Sequence, residues 1–127
     1  MELIHQRGTM DCGIAVAAMF LNITYNEAAN LDPNPMAERG LYVYEFVIIC
    51  QKKGIKVKVK RPHPIPLKNC YLPKECALII RKPNKKFGHF IYYNDNYIYD
   101  PEYQTKIHIT KYKRNWWQVI RIFIKEG

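Results

Sequence analysis

Four residues carry the side-chain types that acyl transfer needs, and they come in a workable order: Gln6, Cys12, His89 and Asp100. Cys12 stands in Asp11-Cys12-Gly13, where a polar, glycine-containing loop gives way to an apolar run reaching Leu21. Ala15, Ala17, Ala18, Met19 and Leu21 favour helix, so the run predicts a buried helix over 13–22 with Cys12 at its first turn. Backbone N–H groups there lack intrahelical partners, and the macrodipole favours negative charge. A thiol in that place is favoured as the thiolate, its nucleophilic form. Considered alone, Cys12 is better explained as a small buried hydrophobe, the usual fate of a free cysteine. Gln6 lies six positions earlier, and its amide can donate two hydrogen bonds. If the loop folds back beside the helix start, that amide and the Cys12 backbone N–H point at one oxygen, as in an oxyanion hole. Considered alone, Gln6 is a solvated loop residue.

His89 and Asp100 flank a turn, Asn94-Asp95-Asn96. With a hairpin loop of two or four residues there, paired positions sum to an odd number, and position 89 faces 100 or 102. Asp100 then shares a face with His89. A three-residue loop without a bulge would separate them. In such a pair the carboxylate fixes the imidazole tautomer and stabilises the imidazolium, while the imidazole takes the Cys12 proton. Separately, His89 is a core histidine and Asp100 a turn residue before Pro101. Together with Gln6 and Asp11-Cys12-Gly13 they make a constellation.

The elements that must position these residues are readable in order. Thr24 and Glu27 have the spacing of a capping box, so a second helix runs to about Asn30, before Pro33 and Pro35. Leu41, Tyr44, Val47 and Ile48 recur at helical spacing ahead of Gly54, which predicts a third helix over 41–53. From Ile55 to Lys60 apolar residues alternate with lysines, the pattern of a half-buried edge strand. Prolines 62, 64, 66 and 73 make 61–75 an irregular surface connection. The run 76–81 predicts a central strand, and 88–93, 97–100 and 119–124 predict further strands, with 105–112 strand or extended loop. Helices first and a mostly antiparallel sheet after them make an α+β domain.

The chain has 127 residues and 15.1 kDa, which fits one domain over 1–127. No apolar run reaches bilayer length and the start lacks a secretory pattern, so no transmembrane segment and a cytoplasmic location, in the producing or an infected cell, are expected. Cys12, Cys50, Cys70 and Cys76 give no disulfide framework, and their spacing, with His5, His63 and His108 scattered, gives no metal site. No cofactor is implied. The net charge of +9 suggests an acidic partner or nucleic acid, with basic residues gathered at 52–61, 81–86 and 106–114. A lysine-rich, AT-rich source would give the same balance without any partner.

Gln6, Asp11-Cys12-Gly13 with Ala15, His89 heading a hydrophobic strand, and Asp100-Pro101 resemble the corresponding motifs of papain-like cysteine peptidases. More closely, they resemble the bacteriocin-processing peptidases of family thirty-nine, which remove double-glycine leaders. The likeness spans the chain in layout, with 30–75 matching in outline only. It implies a papain-like fold with Cys12 as nucleophile, His89 as general base and then acid, Asp100 orienting it, and Gln6 in the oxyanion hole. It also implies a peptide or protein substrate with small residues near the cut. The transporter segments fused to well-known family members are absent from this sequence, so the expected enzyme is a stand-alone peptidase, with amidase or acyl-transferase chemistry open to the same residues. The competing reading is a catalytically silent, peptidase-like binding module, such as a phage or mobile-element factor acting on a host pathway. Its basic face, 55–61 and 82–86, would grip nucleic acid or an acidic protein. Tyr92, Tyr93, Tyr97, Tyr99, Trp116 and Trp117 would then stack on bases, unless they pack in the core.

Overall fold

The computed structural model describes residues 1–35 and 39–126 and begins with three helices: α1 (Cys12–Leu21), α2 (Tyr25–Leu31) and α3 (Val43–Lys52). Each boundary has a local cause. Gly13 to Phe20 are all buried, and α1 ends where Asn22 turns left-handed and its N–H reaches the Ala18 and Met19 carbonyls. The Thr24 side chain accepts the Glu27 N–H and starts α2. The positive φ of Gly54, 82°, follows the end of α3.

Among the described residues six strands follow: β1 (Val57–Lys60), β2 (Glu75–Arg81), β3 (His89–Asn94), β4 (Tyr97–Tyr99), β5 (Ile107–His108) and β6 (Gln118–Lys125). They form one sheet in the order β1-β6-β2-β3-β4-β5, with every pair antiparallel. The architecture is the expected α+β, papain-like one, with N-terminal helices packed on an antiparallel sheet and Cys12 opening the first helix. The apolar run of β2 is central, and the lysine-bearing β1, paired with β6, is an edge strand among the described residues.

Two cores sit on opposite faces of the sheet. On one face α1 and α3 meet β2, β3 and β6 through Phe20, Phe46, Phe90 and Phe123, with Phe46 and Phe123 ring centroids 4.6 Å apart. On the other, Leu78, Ile80, Ile91, Ile98 and Ile122 are covered not by helices but by the segments 61–75 and 103–117. The proline-rich connection lays Leu67 into this second core, pinned by hydrogen bonds from Leu67 N to Trp117 O and from Val119 N to Ile65 O. Tyr92, Tyr93 and Tyr99 belong to these cores, so the idea that they stack on bases fails for all three.

Candidate active site

The β3–β4 hairpin turns through Asp95 and Asn96, both with positive φ (49° and 73°), the backbone of a two-residue turn that right-twisted strands favour. The register Tyr92↔Tyr99, Tyr93↔Ile98 and Asn94↔Tyr97 keeps a constant odd sum. His89, the first residue of β3, therefore shares a face with Asp100, and its Nε2 lies 2.8 Å from Asp100 Oδ1. Asp100 is fully buried, yet it accepts hydrogen bonds from Tyr112 Oη at 2.6 Å, an Arg114 guanidinium nitrogen at 3.1 Å and the Glu102 backbone N–H at 2.9 Å. A buried carboxylate tolerates burial only with donors of this kind around it. Burial pushes its pKa up, but the His89, Tyr112 and Glu102 hydrogen bonds outweigh that and hold it below the usual carboxylate value. His89 shows the mirror effect. Burial alone would lower its pKa, but the bond to Asp100, then contact with Cys12, raise it to about 9.

Helix α1 packs across β3, which sets Cys12 beside the His89 ring. The two residues line a cleft of about 370 Å³ whose walls include Met10, Leu41, Phe87, Gly88 and Phe90. A larger cavity of about 640 Å³, lined by Arg7, Asp11, Tyr25 and Arg39, adjoins it across Thr9, Met10 and Leu41 but contains neither Cys12 nor His89. Two glycines permit the close approach. A Cβ on Gly13 would meet the Leu41 side chain at 2.9 Å, and one on Gly88 would meet Ile79 Cγ2 at 2.5 Å. Gly88→Ala should therefore lower stability by about 1–3 kcal/mol, read by urea unfolding, because the β-branched, core-packed Ile79 must move to admit it. An unchanged midpoint would mean that Ile79 yields freely.

The loop before Cys12 is knotted by Asp11. Its carboxylate accepts the Arg7 N–H at 2.6 Å, the Gly8 N–H at 2.7 Å and the Tyr25 hydroxyl at 2.7 Å. Burial raises the Asp11 pKa, the Arg7, Tyr25 and Gly8 hydrogen bonds lower it, and the net direction is down. Gln6 is tied from both sides, by its backbone N–H to Pro101 O and by its side-chain Nε2 to Gly8 O at 2.8 Å. Its Oε1 is buried and has no partner among the described residues. Gln6 is thus fixed between the Cys12 loop and the Asp100 turn, with one amide hydrogen spent on Gly8. Sequence reading missed Tyr112, Arg114 and the knotting role of Asp11. Arg114 and Tyr112 lie inside a basic stretch, where nothing in the pattern distinguishes a carboxylate clamp from a solvated face.

One ligand atom each from His89, Asp100 and Glu102 lie within 4.8 Å of one another, a spacing that a cation could bridge. Arg114 already spans both carboxylates, at 3.1 Å from Asp100 and 2.7 Å from Glu102, and His89 Nε2 is also 3.4 Å from Glu102. Positive charge is therefore already supplied by protein groups, and an ion would have to displace a guanidinium.

The polypeptide path has a counterpart among solved structures. The peptidase domain of Streptococcus ComA, a bi-functional ABC transporter involved in a quorum-sensing pathway, superposes with a TM-score of 0.67 over 99% of this chain and 98% of that one, at 17% identity. The chain has the fold of a peptidase domain. The Streptococcus mutans ComA peptidase domain gives a TM-score of 0.63 with full coverage of both chains, again at 17% identity. The likeness to bacteriocin-processing peptidases drawn from the sequence is met at the level of the fold. No protein-family model and no curated protein sequence matches the chain. Among the described residues no helix is long and apolar enough to cross a membrane.

Proposed function

We propose that the protein is a cysteine peptidase acting on a peptide or protein through Cys12, His89 and Asp100. The observation that carries this reading is the position of His89: its Nε2 is held by a buried, fourfold-bonded carboxylate, and its ring stands beside a thiol at a helix start. Nε2 is committed to Asp100, which leaves Nδ1 to exchange a proton with Cys12. The sulfur attacks the substrate carbonyl carbon while the imidazolium keeps the thiol proton. The tetrahedral oxyanion accepts the Cys12 backbone N–H, which has no helical acceptor, and the second amide hydrogen of Gln6. The C–N bond breaks, His89 delivers its proton to the leaving amine, and a thioester remains. Water attacks that thioester with His89 as base, releasing the acid and restoring the thiol.

The test compares the four thiols. Burial pushes the Cys50 thiol to about 12 and also raises those of Cys70 and Cys76, so these three are poor nucleophiles at neutral pH. At pH 7, iodoacetamide should label Cys12 on the order of a hundredfold faster than Cys50 or Cys76, with the excess largely lost in His89→Ala. Four thiols that react slowly and alike in the folded protein would overturn the reading.

A second reading rests on Gln6. With its amide donating to Gly8 and its carbonyl oxygen unpartnered, the cleft presents only one firm oxyanion donor. The same fold would then serve as a binding module for an acidic protein or nucleic acid, using the exposed lysines of β1 and of the 82–86 turn. Ordinary Cys12 reactivity combined with salt-dependent retention on an anionic matrix would favour it.

A further inference from the structure

Three arginines occupy the end of the sheet that carries His89. Arg121 lies opposite Ile79, Ile79 lies opposite Phe90, and Arg61 follows Lys60, whose partner is Ile122. Arg121, Ile79 and Phe90 thus form one row across β6, β2 and β3, Arg61 directly follows the last paired residue of β1, and Arg81 stands two residues beyond Ile79 on the same face. This is the face that packs against the helices, where Phe123, Ala77, Ile79 and Phe90 are core residues. A bulge between Ile79 and Ile80 then returns Val119 to the opposite core. On this face of β6, Lys125 is paired with Glu75, whereas Arg121 has no carboxylate partner among the described residues. Arg121 is half-buried, and its guanidinium donates a hydrogen bond to the Ile120 carbonyl. Among the described residues none of the three guanidinium groups has a carboxylate partner. Burial first, then repulsion from Arg61 and Arg81, lowers the Arg121 pKa.

Such a cluster raises the free energy of the empty fold and lowers it when an anion arrives. Its location says which anion. Phe90 and Gly88 line the cleft that holds Cys12, and Ile79 touches the space over Gly88. Arg121 is two strand spacings from Phe90, about 10 Å, the reach of a few residues of extended peptide. Nucleic acid is the poorer occupant, because Tyr92, Tyr93 and Tyr99 are core residues and Trp116 already lies under the Lys82 ammonium at 5.9 Å.

We propose that Arg61, Arg81 and Arg121 form an anion-recognition patch continuous with the Cys12 cleft, which takes acidic side chains of a peptide substrate a few residues from the reacting carbonyl. The patch rests on the peptidase reading for its role, but its ligand chemistry is testable apart from it. The probe is a fluorescein-labelled hexaglutamate peptide, followed by anisotropy at low salt with the full chain. Arg121→Gln and the paired change Arg61→Gln with Arg81→Gln should each weaken binding about tenfold or more, while Lys52→Gln with Lys53→Gln, on the far end of α3, should change it less than about twofold. Thermal melts identify any variant that fails to fold, and the remaining variant then decides. Saturating hexaglutamate should also slow iodoacetamide labelling of Cys12 in the wild type and not in the arginine variants. Equal losses in the arginine and lysine variants would overturn the patch, as would tighter, arginine-dependent binding of oligothymidylate, or labelling indifferent to the bound peptide. Should Cys12 prove an ordinary thiol without any peptide, the catalytic reading falls while the anisotropy series still reports on the arginines.

Discussion

Asp100→Ala is expected to destabilise the protein by about 3–5 kcal/mol, because it strands several partners at once. The Tyr112 hydroxyl is buried in the second core and has Asp100 as its acceptor at 2.6 Å. Arg114 would keep Glu102, but His89 would lose the bond that overcomes its own burial. The His89 pKa should then fall from about 9 toward its ordinary value or below it, with contact with Cys12 left to oppose desolvation. Asp100→Asn separates the two effects. It preserves volume and can still accept from Tyr112, so its stability loss should be clearly smaller, while His89 loses the charge of Asp100 and keeps only the more distant Glu102 carboxylate at 3.4 Å. Urea unfolding and NMR titration of the His89 ring, applied to both variants, read the two quantities. An alanine variant as stable as the wild type would mean that the carboxylate is not the hub of this cluster. An unchanged His89 titration in the asparagine variant would mean that the charge of Asp100 does not set the imidazole.

The parts of this site that were legible in the sequence are those governed by local rules. A helix start follows from a polar-to-apolar switch, so the place of Cys12 could be read within one residue of the observed α1 boundary. The Thr24–Glu27 capping box forms as expected. The sharing of a face by His89 and Asp100 needed only the parity of a two-residue turn, which the left-handed Asp95 and Asn96 supply. What sequence could not give are contacts between segments without periodicity. The segment 103–117 has no pattern that announces Tyr112 and Arg114 as partners of Asp100. The prolines of 61–75 marked an irregular path correctly, but not that it roofs the second face of the sheet, a role for which any chain presenting Ile65, Leu67 and Leu72 would serve. Gln6 shows a third limit. Its proximity to the site followed from spacing, but the direction of its amide depends on the Asp11 knot and the Gly8 carbonyl.

The pH dependence of stability should carry the signature of the His89–Asp100 pair. The folded pKa of His89 is raised from 6.5 to about 9, so between those values the native state holds a proton that the unfolded chain releases. Its contribution is fully present below about pH 6.5 and is lost as pH climbs through about 9, with a ceiling of about 3 kcal/mol from the size of the shift. Asp100 acts at the other end. Its folded pKa is depressed, so its contribution is present above the ordinary value of 3.8 and is lost as pH falls below it. The paired contribution is therefore complete between about pH 4 and 6.5. Urea midpoints measured from pH 3 to 10 should show that plateau, and His89→Gln should flatten the limb between pH 6.5 and 9 while leaving other alkaline titrations in place. The same window should govern Cys12. The ratio of wild-type to His89→Gln alkylation rates should be largest well below the ordinary thiol pKa of about 8.5 and shrink toward unity above about 9, where the imidazolium is gone. If the stability limb vanished in the variant while the alkylation ratio stayed near one throughout, His89 would be a buried structural cation that does not serve the thiol. If the stability limb persisted in the variant, the alkaline titration would belong to other groups.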